Sequence, residues 1–179
     1  MKRIVVLILG FAALAMGQTL TPWEAGVAWV EPGGTVQDNY DGVIPWSNVV
    51  VTGPVDVAKP GSYPVHYSVR DSSGNEGVAD RTVTVADTRP PVLVLRTTAV
   101  VTLVAGTPLW GLNLGAVATD AFAGAVPVVM AGAVSNTRPG TYVLTFNATD
   151  PSGNKALPIT QTVIVTAPPD TTKPVITLK

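Results

Sequence analysis

Two strands can be read directly from the alternation of apolar and polar positions. Tyr63, Val65, Tyr67 and Val69 fall on one face, with Pro64, His66, Ser68 and Arg70 on the other. Further along, Tyr142, Leu144, Phe146 and Ala148 oppose Val143, Thr145, Asn147 and Thr149. A period of two with one apolar face predicts a strand that lays one side on a core. Each strand runs into a polar turn, Asp71-Ser72-Ser73-Gly74-Asn75 or Asp150-Pro151-Ser152-Gly153-Asn154. A second strand follows each turn, Arg81-Thr82-Val83-Thr84-Val85 and Gln161-Thr162-Val163-Ile164-Val165. No amphipathic helical period stands out. Val and Thr favour strands, while Gly and Pro punctuate turns, so the pattern is all-β.

The two strand pairs belong to a repeat. Residues 60–77 read PGSYPVHYSVRDSSGNEG and residues 139–156 read PGTYVLTFNATDPSGNKA, an offset of 79. Val83 aligns with Val163 at an offset of 80, so the second copy gains one residue after the turn, which predicts a bulge or a longer loop. Upstream, Asp38, Tyr40 and Gly42 match Asp120, Phe122 and Gly124, while Asn39 and Asp41 give way to Ala121 and Ala123. A repeat of this length, with short strands between turns, predicts a β-sandwich. Gly61 and Gly140 sit in recurring Pro-Gly-x-Tyr phrases that place Tyr63 and Tyr142 at a tyrosine corner, a phenol bonded back to backbone.

The N-terminus changes the picture from domain to exported protein. Lys2 and Arg3 precede an apolar run from Ile4 to Met16, and Ala15-Met16-Gly17 offers a small-x-small cut before Gln18. Residues 1–17 therefore read as a signal peptide, too short to span a bilayer. The expected order is a signal peptide (1–17), an immunoglobulin-like domain (18–86), a second one (87–169) and an orphan strand (170–179). No membrane insertion is expected after cleavage. The formal net charge is −1, and two of the eleven basic residues lie in the leader. No basic cluster remains to displace counterions, so nucleic acid is not an expected partner. There is no cysteine, so no disulfide holds this secreted chain.

The ordered phrases EPGGTVQDNYDG, KPGSYPVHYSVRDSSGNEG, RTVTV and DTRPPVLVL resemble the bacterial Ig-like domain of surface proteins and some pesticidal crystal proteins. They are also similar to the hyalin-repeat type of extracellular module. The resemblance covers nearly all of the first repeat and about two thirds of the second. It implies tandem immunoglobulin-like sandwiches serving as cell-surface spacers or binding modules, and it specifies fold better than function.

Candidate chemistry is sparse. The absence of Cys excludes a thiol nucleophile, the one His, His66, falls on the outward face of a strand and offers neither a triad base nor a zinc cluster, and no phosphate loop is present, so an enzyme is not expected. Asp38, Asn39 and Asp41 fall within four residues of a predicted loop. Carboxylates and carbonyls in a flexible loop are calcium ligands; the same residues equally make Asx-turns that cap their own backbone. Asp71 and Asn75 are expected at the same end of the sandwich. Trp23, Trp29, Trp46 and Trp110 either fill the cores or present faces to surface glycans or proteins.

One phrase is left over. DTRPPVLVL at 87–95 opens the second repeat, and DTTKPVITL recurs at 170–178. The first repeat lacks it, and an absent edge strand exposes unpaired backbone. The tail, with Val175, Ile176 and Leu178, reaches at most about 33 Å. Copies of the chain pairing head to tail by strand addition are therefore an expected partner class. Burying those side chains and their neighbours is worth roughly 4–9 kcal/mol gross. The alternative is that the chain is the N-terminal piece of a longer repeat adhesin, whose third module begins at 170.

Overall fold

The computed structural model describes residues 4–7 and 21–177, the former as backbone. Two compact units divide the chain, Met1–Thr88 and Arg89–Lys179. The first holds β1 (Ile4–Leu7), β2 (Trp23–Glu24), β3 (Thr35–Asp38), β4 (Gly42–Ile44), β5 (Val50–Thr52), β6 (Gly61–Arg70) and β7 (Glu76–Ala86). The second holds β8 (Val92–Leu95), β9 (Val100–Val104), β10 (Ala116–Asp120), β11 (Gly124–Val126), β12 (Val128–Ala131), β13 (Gly140–Ala148) and β14 (Ile159–Thr166). A 3-10 turn follows Pro45 in one unit and Pro108 in the other. No α-helix occurs among the described residues.

Each unit is a sandwich of a three-stranded and a four-stranded sheet. The first unit has the orders β1-β3-β4 and β2-β7-β6-β5; the second has β8-β10-β11 and β9-β14-β13-β12. Strand for strand these are the same topology, including the parallel entry of β2 on β7 and of β9 on β14. The alternating faces land as the pattern predicts. Val65, Tyr67 and Val69 are buried on β6, and Leu144, Phe146 and Ala148 on β13. They meet Val83 and Val85 of β7, or Val163 and Val165 of β14. Full burial of each such side chain contributes about 1.5–3 kcal/mol.

The hairpins differ as the offset predicts. Between β6 and β7 the pairing is continuous from Gly61↔Val85 to Arg70↔Glu76. In the second unit it runs from Gly140↔Val165 to Phe146↔Ile159, and beyond that a Thr149↔Lys155 bridge sits one residue out of step. The extra residue therefore lies between Lys155 and Ile159, where Pro158 withholds a backbone donor.

Candidate functional site

Three carboxylates converge at one end of the first unit. β3 ends at Asp38, and Gly42 opens β4 with a φ of 74°, so the chain reverses within three residues. Asp38 Oδ1 accepts the N–H groups of Tyr40 and Asp41, both at 2.8 Å, which is the Asx-turn. Its other oxygen, Oδ2, is buried and makes no hydrogen bond. The exposed Asp41 reaches across to the β6–β7 turn and accepts the N–H and hydroxyl of Ser72, each at 2.8 Å. In that turn Asp71 accepts the N–H groups of Ser73 and Asn75, and the Asn75 amide donates to its Oδ2 at 2.6 Å. One carboxylate oxygen from each of Asp38, Asp41 and Asp71 lies within 4.8 Å of the others. Asn39 is exposed in the same turn. Sequence placed Asp71 at this end of the sandwich but did not put it in the ligand set; the recurrence of Asp-x-Ser-Gly-Asn after the central strand was the available signal.

The second unit keeps part of this arrangement. Asp120 Oδ1 accepts the N–H groups of Phe122 and Ala123 at 2.8 Å, and its Oδ2 is likewise buried without a hydrogen bond. Asp150 accepts the backbone and side-chain N–H groups of Asn154 at 2.8 and 2.9 Å. Burial works to raise the Asp150 pKa. The Asn154 bonds, with the N–H groups of Ser152 and Gly153, outweigh it and hold the group below its ordinary value. Asp120 and Asp150 approach within 4.8 Å. Ala123 stands where the first unit has Asp41.

Other polar groups serve the packing. Tyr67 is fully buried, and its hydroxyl donates to Glu31 at 2.8 Å. Arg81 pairs with the same carboxylate at 3.4 Å and lies 5.6 Å over the Tyr67 ring. Burial, first, and the bond to Glu31 push the Tyr67 pKa well above its usual value. Sequence reading took Tyr67 as a core side chain and did not find Glu31. His66 sits on the outer face of β6, opposite Asp80 on β7, with the side chains 2.7 Å apart. The hydroxyls of Tyr63 and Tyr142 donate to the carbonyls of Lys59 and Arg138, at 2.6 and 2.8 Å. Gly61 and Gly140 lie under the respective rings. Trp23 and Trp29 form a half-buried edge-to-face pair 4.7 Å apart, Trp46 packs near Tyr67, and Trp110 is 91% exposed.

The strand edge beside β3 is the second feature. In the second unit β8 pairs with β10 so that Leu93 faces Ala118 and Val92 faces Thr119. In the first unit β1 occupies the equivalent place, with Ile4 opposite Asp38, Val5 opposite Gln37 and Val6 opposite Val36. The edge that sequence reading left without a strand is thus filled, by residues of the expected leader. Most of that leader, with its cut before Gln18, lies outside the described residues. At the other end, residues 167–177 form no strand, and Val175 and Ile176 are 89% and 84% exposed. Leu178 lies outside the described residues. No helix among the described residues is long and apolar enough to cross a membrane.

Paired sheets, short strands and tyrosine corners make the fold all-β and immunoglobulin-like in character. Residues 16–85 match the family model of the bacterial surface protein Ig-like domain. Among solved structures, the chain is similar to the lipoprotein BT2262 from Bacteroides thetaiotaomicron, at 21% identity and a TM-score of 0.36. That likeness covers 83% of this chain, which spans only 61% of the lipoprotein. The fibronectin(III)-like modules of Clostridium thermocellum CbhA are similar at 13% identity and a TM-score of 0.37, over 92% of this chain and 95% of theirs. No curated protein sequence matches the chain.

Proposed function

We propose that this is a secreted, non-enzymatic protein of the bacterial cell surface, structural or adhesive in role, whose copies join head to tail by strand donation. The match of residues 16–85 to a surface-protein domain supports the location. The observation that carries the assembly is the pairing at β3. Ile4–Leu7 holds the place that β8 holds in the second unit, so cleavage of the leader would vacate it. The tail carries the β8 phrase, exposed and outside any sheet. Placed in the β8 register, Pro174 falls opposite Asp38, Val175 opposite Gln37 and Ile176 opposite Val36. Ile176 then takes the inward position of Leu93, and the unpaired N–H and C=O groups of β3 gain partners.

The absence of native cysteine makes a direct test available. A leaderless Gln37→Cys, Val175→Cys double variant should form a ladder of disulfide-linked multimers on a non-reducing gel. Moving the second cysteine to Ile176 should suppress the ladder, since that side chain points to the opposite face. Deleting 170–179 should lower the mass seen by light scattering. Equal masses with and without the tail overturn strand donation, and fit a tail that opens a third module of a longer adhesin. A second reading, a glycan- or protein-binding accessory module, is favoured by the exposed Trp110 beside Met130; binding on a glycan array that Trp110→Ala abolishes would support it.

A further inference from the structure

We infer that the end of the first unit is a divalent-cation site, with Asp38, Asp41 and Asp71 as its carboxylate ligands and calcium as the fitting ion. Three oxygens mutually within 4.8 Å lie at most a few tenths of an ångström outside a shell of about 2.4 Å radius around one centre, the Ca²⁺–O distance, a gap that small side-chain rotations close. Proximity alone is common among surface acids. The distinguishing atom is Asp38 Oδ2. Asp38 is 1% exposed, Oδ1 already caps the turn, and Oδ2 is shut away from solvent with no donor. A buried carboxylate oxygen in that state is costly unless a proton or a cation meets it.

The rest of the cluster is held in place for a ligand rather than free to retreat. Asp41 is fixed by two bonds from Ser72, and Asp71 by three from Ser73 and Asn75. Both turns are thereby held in register before any ion arrives. The trio's three carboxylates more than neutralise a hard divalent cation, and its donors are all oxygen. Exposure at Asp41 leaves room for water to complete a coordination of six to eight, which calcium accepts more readily than magnesium. Modules outside the cell work with weak sites, in the 10⁻⁴–10⁻³ M range, and a three-carboxylate site with one exposed member fits that class. The ion would pin the β3–β4 turn to the β6–β7 turn, fixing the end of the edge strand β3.

The test is calcium titration of the purified protein by calorimetry, paired with melting curves in millimolar calcium and in EDTA. Asp38→Asn keeps the oxygen that caps Tyr40 and Asp41 but removes the charge. Asp41→Asn, at an exposed position, is the second variant. Each should weaken calcium binding at this site at least tenfold and abolish the calcium-dependent rise of the first unit's melting temperature. Their melting temperatures in EDTA should match or exceed the unmodified protein's. The inference is overturned if the unmodified protein takes up no calcium at 5 mM. It is overturned equally if the Asp38→Asn, Asp41→Asn double variant binds with unchanged affinity and stoichiometry. Stabilisation by Asp38→Asn that is the same with and without calcium would assign a proton, not a cation, to Oδ2.

Discussion

The two units share one strand order but settle their inner polar position in opposite ways. On β7, Arg81 faces inward opposite Val65, and on β14 Gln161 faces inward opposite Leu144. The first unit answers with charge: Arg81 meets Glu31, which also takes the Tyr67 hydroxyl. The second unit replaces Tyr67 with Phe146 and leaves Gln161, fully buried, to accept the Gly115 N–H at 3.2 Å and donate to the Thr98 carbonyl at 2.8 Å. One solution ties a loop to the core through an ion pair, and the other ties two loops through a neutral amide. A fold defined by its pairing thus tolerates either, provided that the polar side chain at this inner position finds its partners.

The strongest challenge to the likeness of the units is a matched pair of glycines just after β5 and β12. Gly53 and Gly132 have φ of 96° and 98°, and a Cβ on either would lie 2.2 or 2.4 Å from a backbone carbonyl oxygen, that of Pro64 or Val143. Gly53→Ala and Gly132→Ala should each cost about 3–4 kcal/mol, from left-handed strain plus the clash with rigid backbone. Denaturant melts can separate the units. Trp23, Trp29 and Trp46 report the first unit by fluorescence, whereas the exposed Trp110 changes little; circular dichroism follows the strands of both units, so a transition it shows without a fluorescence change belongs to the second. A Gly132→Ala variant that leaves the second unit's transition unmoved, while Gly53→Ala lowers the first unit's, would break the equivalence.

Next in size is Glu31→Ala, which strands Arg81 and the Tyr67 hydroxyl together and should cost about 3 kcal/mol. Adding Tyr67→Phe and Arg81→Gln imports the second unit's side chains. That triple variant should recover at least half of the loss, a non-additivity expected of residues in one network. If the three substitutions simply add, the polar cluster is not a unit and the comparison loses its point.

What sequence could and could not reveal follows the same division. The alternation on β6 and β13 was legible because an apolar face with period two needs no partner to be recognised. The one-residue offset between copies was legible because a repeat carries its own ruler. Glu31 was not, since it lies 36 residues from Tyr67 and only folding brings them together. Asp71 was half legible: its turn was evident, but its approach to Asp38 depends on which ends of the two sheets meet. The filling of the β3 edge by Ile4–Leu7 was hidden for a different reason. An apolar leader and an apolar edge strand have the same composition, and only pairing distinguishes them.

Gln161 offers a sharper test of the neutral solution than any deletion. Gln161→Leu keeps the volume but leaves the Gly115 N–H and the Thr98 carbonyl without their partner, and should cost about 2–3 kcal/mol. The matching change in the first unit, Arg81→Leu, leaves Glu31 still accepting from Tyr67, and should cost about 1–2 kcal/mol less than the loss of Glu31 itself. The loss from Gln161→Leu should appear in the circular dichroism transition and leave Trp fluorescence unmoved.

The smallest effect is expected where the units agree most closely. The hydroxyls of Tyr63 and Tyr142 close the same four-residue corner, at 2.6 and 2.8 Å, on the carbonyls of Lys59 and Arg138. Both bonds are solvent-exposed, so water replaces the phenol on its removal and no orphaned group is left behind. Tyr63→Phe and Tyr142→Phe should therefore each cost only about 0.5–1.5 kcal/mol, and the two values should agree within error, because the ring keeps its place over Gly61 or Gly140 in both. A large cost in one unit alone would mean that its corner holds more than a hydrogen bond. It would then locate the difference between the units in how each chain enters its central strand, not in the polar side chains behind it.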